Sequence, residues 1–401
     1  LWLPRNMQNP KIGKYERTPS KTDRALREQL NLLGLNLEEK TKDDEDAKMP
    51  EAKYQDPDIA RPTTAMLSNT GYRLVPNITI SDNNAEVFAV KFSPDGRFLA
   101  AGCGDGAIRV FNVGTGRLAY NLQTGSQQSL PITSLNFRPI SNEAKTKNVL
   151  VSTDAGGNIQ HWHMTSGKCL STIAVEDQQF YSLSYRADGL QFAAVGKDTV
   201  VRIYDEQTKQ PVLEMEGGMG YGSASHVGHS NRVFSCKYGD PHTAVTGGWD
   251  NNVLFWDLRS GEVARSFYGP HLSGDALDIH GATVLTGSWR PDHTLETWDY
   301  GTGEPIEEIP WHRTDHVRHQ PCMLYTAQFS PDGTFVAAGG SGANEAKVFD
   351  RTAENGLVGT IAGLSRGVFS LDFAPTSRKL AVAGGDGSVR IIDILGEGEV
   401  G

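Results

Sequence analysis

The feature that most constrains the fold is an internal repeat of about 42 residues that occurs seven times. Five clear copies begin at Val87, Phe180, Val233, Leu324 and Val368, and two weaker copies begin near Ile132 and Asp275. The aromatic or apolar residue that ends the third predicted strand recurs every 42 to 52 residues, at Phe111, Trp162, Tyr204, Trp256, Trp298, Phe349 and Ile392. The longer spacings indicate extra loop in three places.

Each copy has the pattern of a small antiparallel sheet. Three runs of alternating apolar and polar residues are separated by turn sequences, such as SPDG at Ser93 and GDG at Gly104, and a fourth short strand follows. Four-stranded units at this period are typical of propeller blades. The sequence therefore predicts an all-β fold, a seven-bladed β-propeller.

The fourth copy carries the motifs of a known family. It contains the dipeptide GH ending at His229, an aspartate in a tight turn at Asp250 and the dipeptide WD beginning at Trp256. In their period, strand pattern and turns, the seven units resemble WD repeats. They cover residues 73–394. The resemblance implies a hydrogen-bonded structural tetrad, formed by Trp256, Thr246, His229 and Asp250. The other six copies lack GH, Gly156 replaces the turn aspartate in the second copy, and the fifth has two extra residues in its turn, SWRPDH.

The two ends of the repeat region predict how the ring closes. Residues Arg73 to Ile80 have β character and precede the first copy, whereas the last copy stops after its third strand at Ile394. We expect Arg73–Ile80 to pair with Val389–Ile394, which leaves no exposed sheet edge. The predicted domains are an N-terminal arm over residues 1–72, the propeller over residues 73–394 and a C-terminal tail over residues 395–401.

The arm differs from the propeller in composition. Its first 27 residues carry net charge +5, and residues 36–60 carry net charge −5. Between these segments four leucines recur at helical spacing, which predicts an amphipathic helix over about residues 22–38 in an otherwise extended arm; they are Leu26, Leu30, Leu33 and Leu37. Such a stripe must be buried somewhere. The arm is either disordered or packed on its own propeller, or it docks on another subunit, and Gly34 weakens the helix.

Charge and cysteine usage exclude several classes of function. The arm is balanced in charge, so residues 73–401 account for the whole net charge of −10. An acidic body is a poor partner for nucleic acid, and no apolar run is long enough to predict a membrane span. The four cysteines form no CxxC pair, which favours a reducing compartment. The glycine-rich string GGMGYG from Gly217 opens no helix, so no nucleotide or other cofactor is predicted.

The histidines give weak candidates for a metal site. His161 and His163 share a strand face, and a second set lies in the connection before the sixth copy, at His312, His316 and His319. The first pair has no third ligand nearby in sequence, and arginines accompany the second set. We predict no metal site, and the chain lacks any arrangement typical of a catalytic triad or carboxylate pair. A metal-dependent enzyme is the rejected alternative, and the chain is predicted to be non-catalytic.

Aromatic residues give the strongest functional signal. One position at the start of the first strand is aromatic in five copies, and a tryptophan stands near the turn aspartate in the fourth and fifth copies; we call these seven residues the rim aromatics, namely Phe88, Tyr181, Phe234, Trp249, Trp289, Tyr325 and Phe369. In WD-repeat proteins these positions resemble those that surround the central channel on the wider face, where peptides bind. A convergent ring would suit an arginine, lysine or aromatic anchor of a partner. Alternatively, the five strand aromatics pack between blades.

These observations predict a protein-interaction scaffold. The wider face would bind a peptide or subunit while the arm engages another subunit of a multiprotein assembly, and the propeller itself would be monomeric. The chain also looks similar to single-propeller proteins of ciliated lineages, which suggests a cytoplasmic, axonemal or other cytoskeletal setting. The alternative is a nuclear or cytoplasmic adaptor that reads peptides or modified tails in chromatin or ubiquitin machinery.

Overall fold

The computed structural model describes residues 70–81, 83, 85–123, 130–141, 147–217, 228–311, 321–353 and 356–399. The arm up to residue 69, with the helix predicted over residues 22–38, lies outside these residues. The described part forms seven four-stranded antiparallel sheets. The only helical element in these described ranges is a three-residue 3-10 turn, Met164–Ser166. None of the helical structure described is long and apolar enough to cross a membrane.

Six blades are built from four consecutive strands each, in the order in which the chain forms them. In blades 1 to 3 the strands are β2 (Val87–Phe92), β3 (Phe98–Cys103), β4 (Ile108–Asn112), β5 (Leu118–Leu122); β6 (Ile132–Phe137), β7 (Val149–Asp154), β8 (Asn158–His163), β9 (Lys168–Ala174); β10 (Phe180–Tyr185), β11 (Gln191–Gly196), β12 (Val201–Asp205) and β13 (Pro211–Met215). In blades 4 to 6 they are β14 (Val233–Asp240), β15 (Thr243–Gly248), β16 (Asn252–Asp257), β17 (Glu262–Tyr268); β18 (Leu277–His280), β19 (Thr283–Gly287), β20 (Leu295–Asp299), β21 (Pro305–Glu308); β22 (Met323–Phe329), β23 (Phe335–Ser341), β24 (Ala346–Asp350) and β25 (Leu357–Ile361).

The seventh blade closes the ring with strands from both ends of the repeat region. Its strands are β26 (Val368–Phe373), β27 (Lys379–Gly384), β28 (Val389–Gly396) and, as the outermost strand, β1 (Tyr72–Ile80). The register runs from Tyr72 opposite Gly396 to Ile80 opposite Val389, with an irregularity after Pro76. Proline is tolerated there because β1 is an edge strand. The predicted seven-bladed fold and its closure by an N-terminal strand are confirmed.

The core lies between the blades. The innermost strands of successive blades contact one another around the whole ring, from blade 1 to blade 7 and back. Alternating strand residues bury their apolar side chains against the next sheet, so each blade supplies part of two neighbouring core regions. One such cluster joins Ile108 and Leu122 of blade 1 to Leu150 and Trp162 of blade 2. This packing holds the turns of every blade in fixed positions at the two faces of the ring.

Candidate partner-binding face

A β-bulge sets the direction of the strand aromatics. In six blades the register of the first strand is interrupted near its start, so that one residue is skipped in the pairing with the second strand. The skipped residues are Phe88, Thr133, Tyr181, Phe234, Tyr325 and Phe369. A bulge changes the direction in which a side chain points. Five of the seven rim aromatics therefore occupy one backbone position, and Thr133 occupies it in blade 2.

The two tryptophans reach the same face from the turn between the second and third strands. The backbone N–H of Trp249 donates to the carbonyl of Arg232 at 3.0 Å, and that of Trp289 donates to the carbonyl of His271 at 2.8 Å. Gly248 precedes Trp249 because a Cβ there would lie 2.0 Å from the Arg232 oxygen. The indole N–H of Trp249 also donates to the hydroxyl of Ser273 at 2.9 Å.

The structure brings all seven rim aromatics together and adds His271 to them. They form a continuous series of ring contacts from blade 3 through blades 4 to 7 to blade 1, which we call the aromatic arc. The centroid distances are 4.5 Å for Tyr181–Phe234, 5.1 Å for Phe234–Trp249, 6.1 Å for Trp249–His271, 6.5 Å for His271–Trp289, 6.4 Å for Trp289–Tyr325, 5.6 Å for Tyr325–Phe369 and 5.5 Å for Phe369–Phe88.

Members of the arc differ in exposure. Four strand aromatics are buried, with at most 9% of their surface exposed, namely Tyr181, Phe234, Tyr325 and Phe369. Packing against neighbouring blades accounts for these four. Phe88, Trp249, His271 and Trp289 are partly exposed. We call Trp249, His271 and Trp289 the tryptophan wall, because they form the accessible aromatic surface of blades 4 and 5.

The aromatic position is polar in two blades. Thr133 fills it in blade 2 and shares a hydrogen bond with Thr153 at 3.0 Å. In blade 5, Leu277 pairs with Thr286. Thr286 accepts the indole hydrogen bond of its own blade, as Thr246 does in blade 4. Asp275, two residues before Leu277, therefore takes the corresponding position in the fifth copy. The aromatic arc therefore has no member in blade 2, and a carboxylate lies beside it in blade 5.

His271 is the arc residue that the sequence did not single out. It lies in the loop before β18, and its Nδ1 is 2.7 Å from the amide oxygen of Asn251. That oxygen can only accept, so Nδ1–H donates. Burial and the charge of Arg290 lower the pKa of His271. The neutral ring then offers Nε2 as a hydrogen-bond acceptor between two tryptophans. Only its position in GPHLSGD, ahead of a weak repeat, could have indicated it.

The tetrad implied by the family resemblance is present as a chain of hydrogen bonds in blade 4. The indole N–H of Trp256 donates to the Thr246 hydroxyl at 2.8 Å. That hydroxyl lies 2.7 Å from His229 Nε2, and His229 Nδ1 lies 2.8 Å from the Asp250 carboxylate. Because the carboxylate accepts from Nδ1–H, Nε2 accepts from the threonine hydroxyl. The chain joins the loop before the blade, its second and third strands and the turn between them.

Other blades secure the turn aspartate without a histidine. In blades 1, 3 and 7 an arginine four residues later supplies the partner, in the pairs Asp105–Arg109 at 2.5 Å, Asp198–Arg202 at 2.5 Å and Asp386–Arg390 at 2.8 Å. Blades 2 and 5 keep the indole-to-hydroxyl bond, from Trp162 to Ser152 at 2.9 Å and from Trp298 to Thr286 at 2.8 Å. In blades 1, 3 and 7 an ion pair therefore takes the place of the histidine at the turn aspartate, and in blades 2 and 5 the bond between the third and second strands remains.

Replacing His229 by alanine is expected to lower the free energy of unfolding by about 1–3 kcal/mol, because Thr246 and Asp250 each lose a buried partner. Urea denaturation at neutral pH measures the change. His242→Ala is the matched control, since His242 is exposed in the same blade and its bonds to Asp240 and Leu258 are made by its backbone N–H and carbonyl. Equal stability of the two variants would contradict a structural role for the tetrad.

The structure separates the histidines of the predicted strand pair. His161 is buried and contacts the Glu206 carboxylate at 3.0 Å, whereas the His163 ring contacts the Ser166 hydroxyl at 2.7 Å. His312, His316 and His319, like most of the glycine string from Gly217, lie outside the described residues.

Another group of ligand-type side chains is His293, Glu296 and Glu308, whose atoms lie within 4.8 Å of one another. His293 contacts both carboxylates, at 3.4 and 3.1 Å, and these contacts within blade 5 account for this group. The sequence did not single it out, because the three residues meet only through the turn insertion SWRPDH and the pairing of β20 with β21.

Comparison with known proteins agrees with this architecture. A family model described as the anaphase-promoting complex subunit 4 WD40 domain matches residues 70–140. A second model, described as WD domain, G-beta repeat, matches residues 222–257 and 356–393. These matches cover the closing strand with the first blade, the complete tetrad and most of the last blade.

Several curated proteins are similar to this chain over most of its length. WD repeat-containing protein slp1 of Schizosaccharomyces pombe is 25% identical over 66% of this chain and 50% of its own length. The APC/C activator protein CDC20 of Saccharomyces cerevisiae is 25% identical over 70% of this chain and 45% of its own length. The chain thus spans about half the length of these two relatives. A ribosome biogenesis protein WDR12 homolog of Drosophila yakuba is 24% identical over 76% of this chain and 71% of its own length. With seven closed blades and these matches, the chain belongs to the WD-repeat β-propeller family.

Proposed function

We propose that this protein is a non-catalytic interaction scaffold whose aromatic face binds another subunit of a multiprotein assembly. The observation that carries the proposal is the continuous aromatic arc, in which the tryptophan wall remains partly exposed. Partly exposed tryptophans set in a rigid frame are typical anchors of protein interfaces. The frame itself is rigid because every blade packs on two neighbours, so little ordering is needed on binding.

The comparisons support the general role more than any particular setting. The relatives named above include an APC/C activator and a ribosome biogenesis protein. Their names support a role in assemblies, and none of them names an enzyme. They give no support to an axonemal or cytoskeletal setting, so we propose a cytoplasmic or nuclear protein. We further propose that the arm docks a second partner through Leu26, Leu30, Leu33 and Leu37.

The proposal predicts that Trp249→Ala and Trp289→Ala each reduce the recovery of co-assembled proteins by about tenfold, the cost of one interface anchor. Affinity capture of the tagged full chain from its own cells, with quantitative mass spectrometry, measures the recovery. Leu170→Ala is the control, because Leu170 is 57% exposed on the outer strand of blade 2, away from the face. A chain without residues 1–60 tests the arm in parallel.

Circular dichroism and urea denaturation confirm that each captured variant is folded. Two folded tryptophan variants that recover every partner at the level of Leu170→Ala would show that this face is not the binding site. Loss of a partner only from the chain without residues 1–60 would assign that partner to the arm.

A further inference from the structure

We infer that the tryptophan wall binds an acidic peptide segment of a partner protein, in which an aromatic or apolar side chain is flanked by carboxylates. This inference rests on the proposed function and adds the chemistry of the anchor. The sequence alone allowed an arginine or lysine anchor as well. The charges around the wall distinguish these possibilities.

The turn aspartates of blades 1, 3, 4 and 7 are already used within the propeller. The turn aspartates of blades 1, 3 and 7 each pair with an arginine of their own blade. Asp250, the aspartate beside the wall, accepts hydrogen bonds from the His229 ring and from the backbone N–H groups of Ser230 and Asn252. Its side chain is only 2% exposed. These carboxylates are therefore not free to receive a cationic anchor.

The cationic groups beside the wall, by contrast, keep their charge available for a ligand. The Arg232 guanidinium lies over the Trp249 ring, 5.3 Å from its centroid. Burial lowers the pKa of His271, and the charge of Arg290 lowers it further, against the smaller opposing effect of Asp250. Among the described residues, no carboxylate forms an ion pair with Arg232 or Arg290. Unpaired guanidinium groups are strong, directional donors to carboxylates.

A cationic anchor would meet repulsion at the same place. The face of Trp249 that would attract a lysine or arginine is already covered by Arg232, and a second cation there would be repelled. The neutral His271 ring adds no negative charge. Asp275, the carboxylate beside the arc in blade 5, pairs with Lys237 at 3.0 Å and accepts from the Ser235 hydroxyl at 2.8 Å. Asp292, at the exposed tip of the blade 5 turn, and Glu86, beside Phe88 in blade 1, are further acidic groups on this face. In the part of the chain described, neither carboxylate forms an ion pair with Arg232 or Arg290.

The test compares two labelled probes on the full chain by fluorescence polarisation. The acidic probe is Asp-Glu-Trp-Glu-Asp, and the basic probe is Lys-Lys-Trp-Lys-Lys. We expect the acidic probe to bind about tenfold more tightly. Arg232→Gln and Arg290→Gln should each weaken it by about three- to tenfold, the loss of one charged hydrogen bond, with less effect at high salt. Arg117→Gln, an exposed arginine of blade 1, is the charge-matched control and should leave binding unchanged.

Tighter binding of the basic probe, stronger binding after Arg232→Gln or no binding of either probe would overturn the inference. None of these outcomes removes the proposed function, because partner capture with Trp249→Ala and Trp289→Ala decides that separately. An acidic probe that is weakened by Trp249→Ala and by both arginine variants, but not by Arg117→Gln, supports the inference.

Discussion

A chain that begins at Ser81, and so lacks β1, is expected to lose on the order of 5 kcal/mol of folding free energy and to aggregate at concentrations where the longer chain is monomeric. The deletion removes the outermost strand of blade 7 along its entire register, from Tyr72 to Ile80. The edge of β28 then presents unpaired N–H and C=O groups to solvent. An exposed edge of this length promotes pairing with another chain.

The expected loss of folding free energy exceeds the loss of backbone pairing alone, because β1 also contacts both neighbouring blades. Tyr72 packs edge-on against Phe335 of blade 6, with ring centroids 4.9 Å apart, and Leu74 belongs to the same cluster. Ile78 packs with the core cluster between blades 7 and 1. Removing β1 therefore exposes apolar surface at two blade interfaces.

Size-exclusion chromatography with light scattering and urea denaturation measure the effect. The control begins at Thr70, which removes the residues before the described part of the propeller and keeps β1. Addition of a synthetic peptide covering residues 70–81 should restore stability to the shortened chain. A shortened chain that stays monomeric and unfolds at the control's urea concentration would contradict closure by β1.

The sequence was sufficient for the fold because its information is local and repeated. Each copy carries its own strand alternation and turn residues, so Val87, Phe180 and Val368 could be recognised as equivalent starts. Closure could be predicted from the missing fourth strand of the last copy. The strands extend slightly beyond the predicted bounds, to Tyr72 and Gly396, because backbone pairing continues past the last apolar residue.

The face could be predicted only in part. The shared aromatic position was visible in sequence, but the bulge that directs it depends on the pairing of two strands, which no local pattern specifies. Two residues of the fifth copy could not be assigned to the face from the sequence for the same reason. Asp275 and His271 acquire their positions from the register of β18 with β19, and β18 is too short to show alternation.

The ion pairs that replace the GH motif have a sequence pattern of their own. In blades 1, 3 and 7 the strings GDGAIR, KDTVVR and GDGSVR each place an arginine four residues after the turn aspartate. The fixed turn and the following strand bring the two side chains together. An Asp-to-Arg spacing of four therefore marks a turn of this kind where histidine is absent.

Replacing Glu206 by glutamine is expected to lower the free energy of unfolding by about 3–5 kcal/mol at neutral pH. Glu206 has a side chain that is 3% exposed and joins blades 2 and 3. Its carboxylate contacts Lys209 at 2.7 Å, Tyr185 at 2.9 Å and His161 at 3.0 Å. The neutral amide would leave the Lys209 charge without a buried counter-charge. Glu307→Gln is the control, because Glu307 is exposed and forms no ion pair among the described residues, and its expected change is within about 0.5 kcal/mol.

The pH dependence of this variant separates charge from packing. Burial alone would raise the pKa of Glu206, but hydrogen bonds and charge from His161 and Lys209 outweigh it and lower the pKa from 4.5 to about 2. A folded pKa below the unfolded value means that the carboxylate stabilises the protein above pH 4.5 and that this contribution declines as the pH falls towards 2. Burial also lowers the pKa of His161, although the hydrogen bond and charge of Glu206 oppose this shift, and stability therefore falls as the pH drops below 6.5. Urea denaturation from pH 7 to pH 3 should therefore show the two stabilities converging below pH 4.5. A gap that stays constant over that range would mean that Glu206 acts by shape and hydrogen bonding, not by charge.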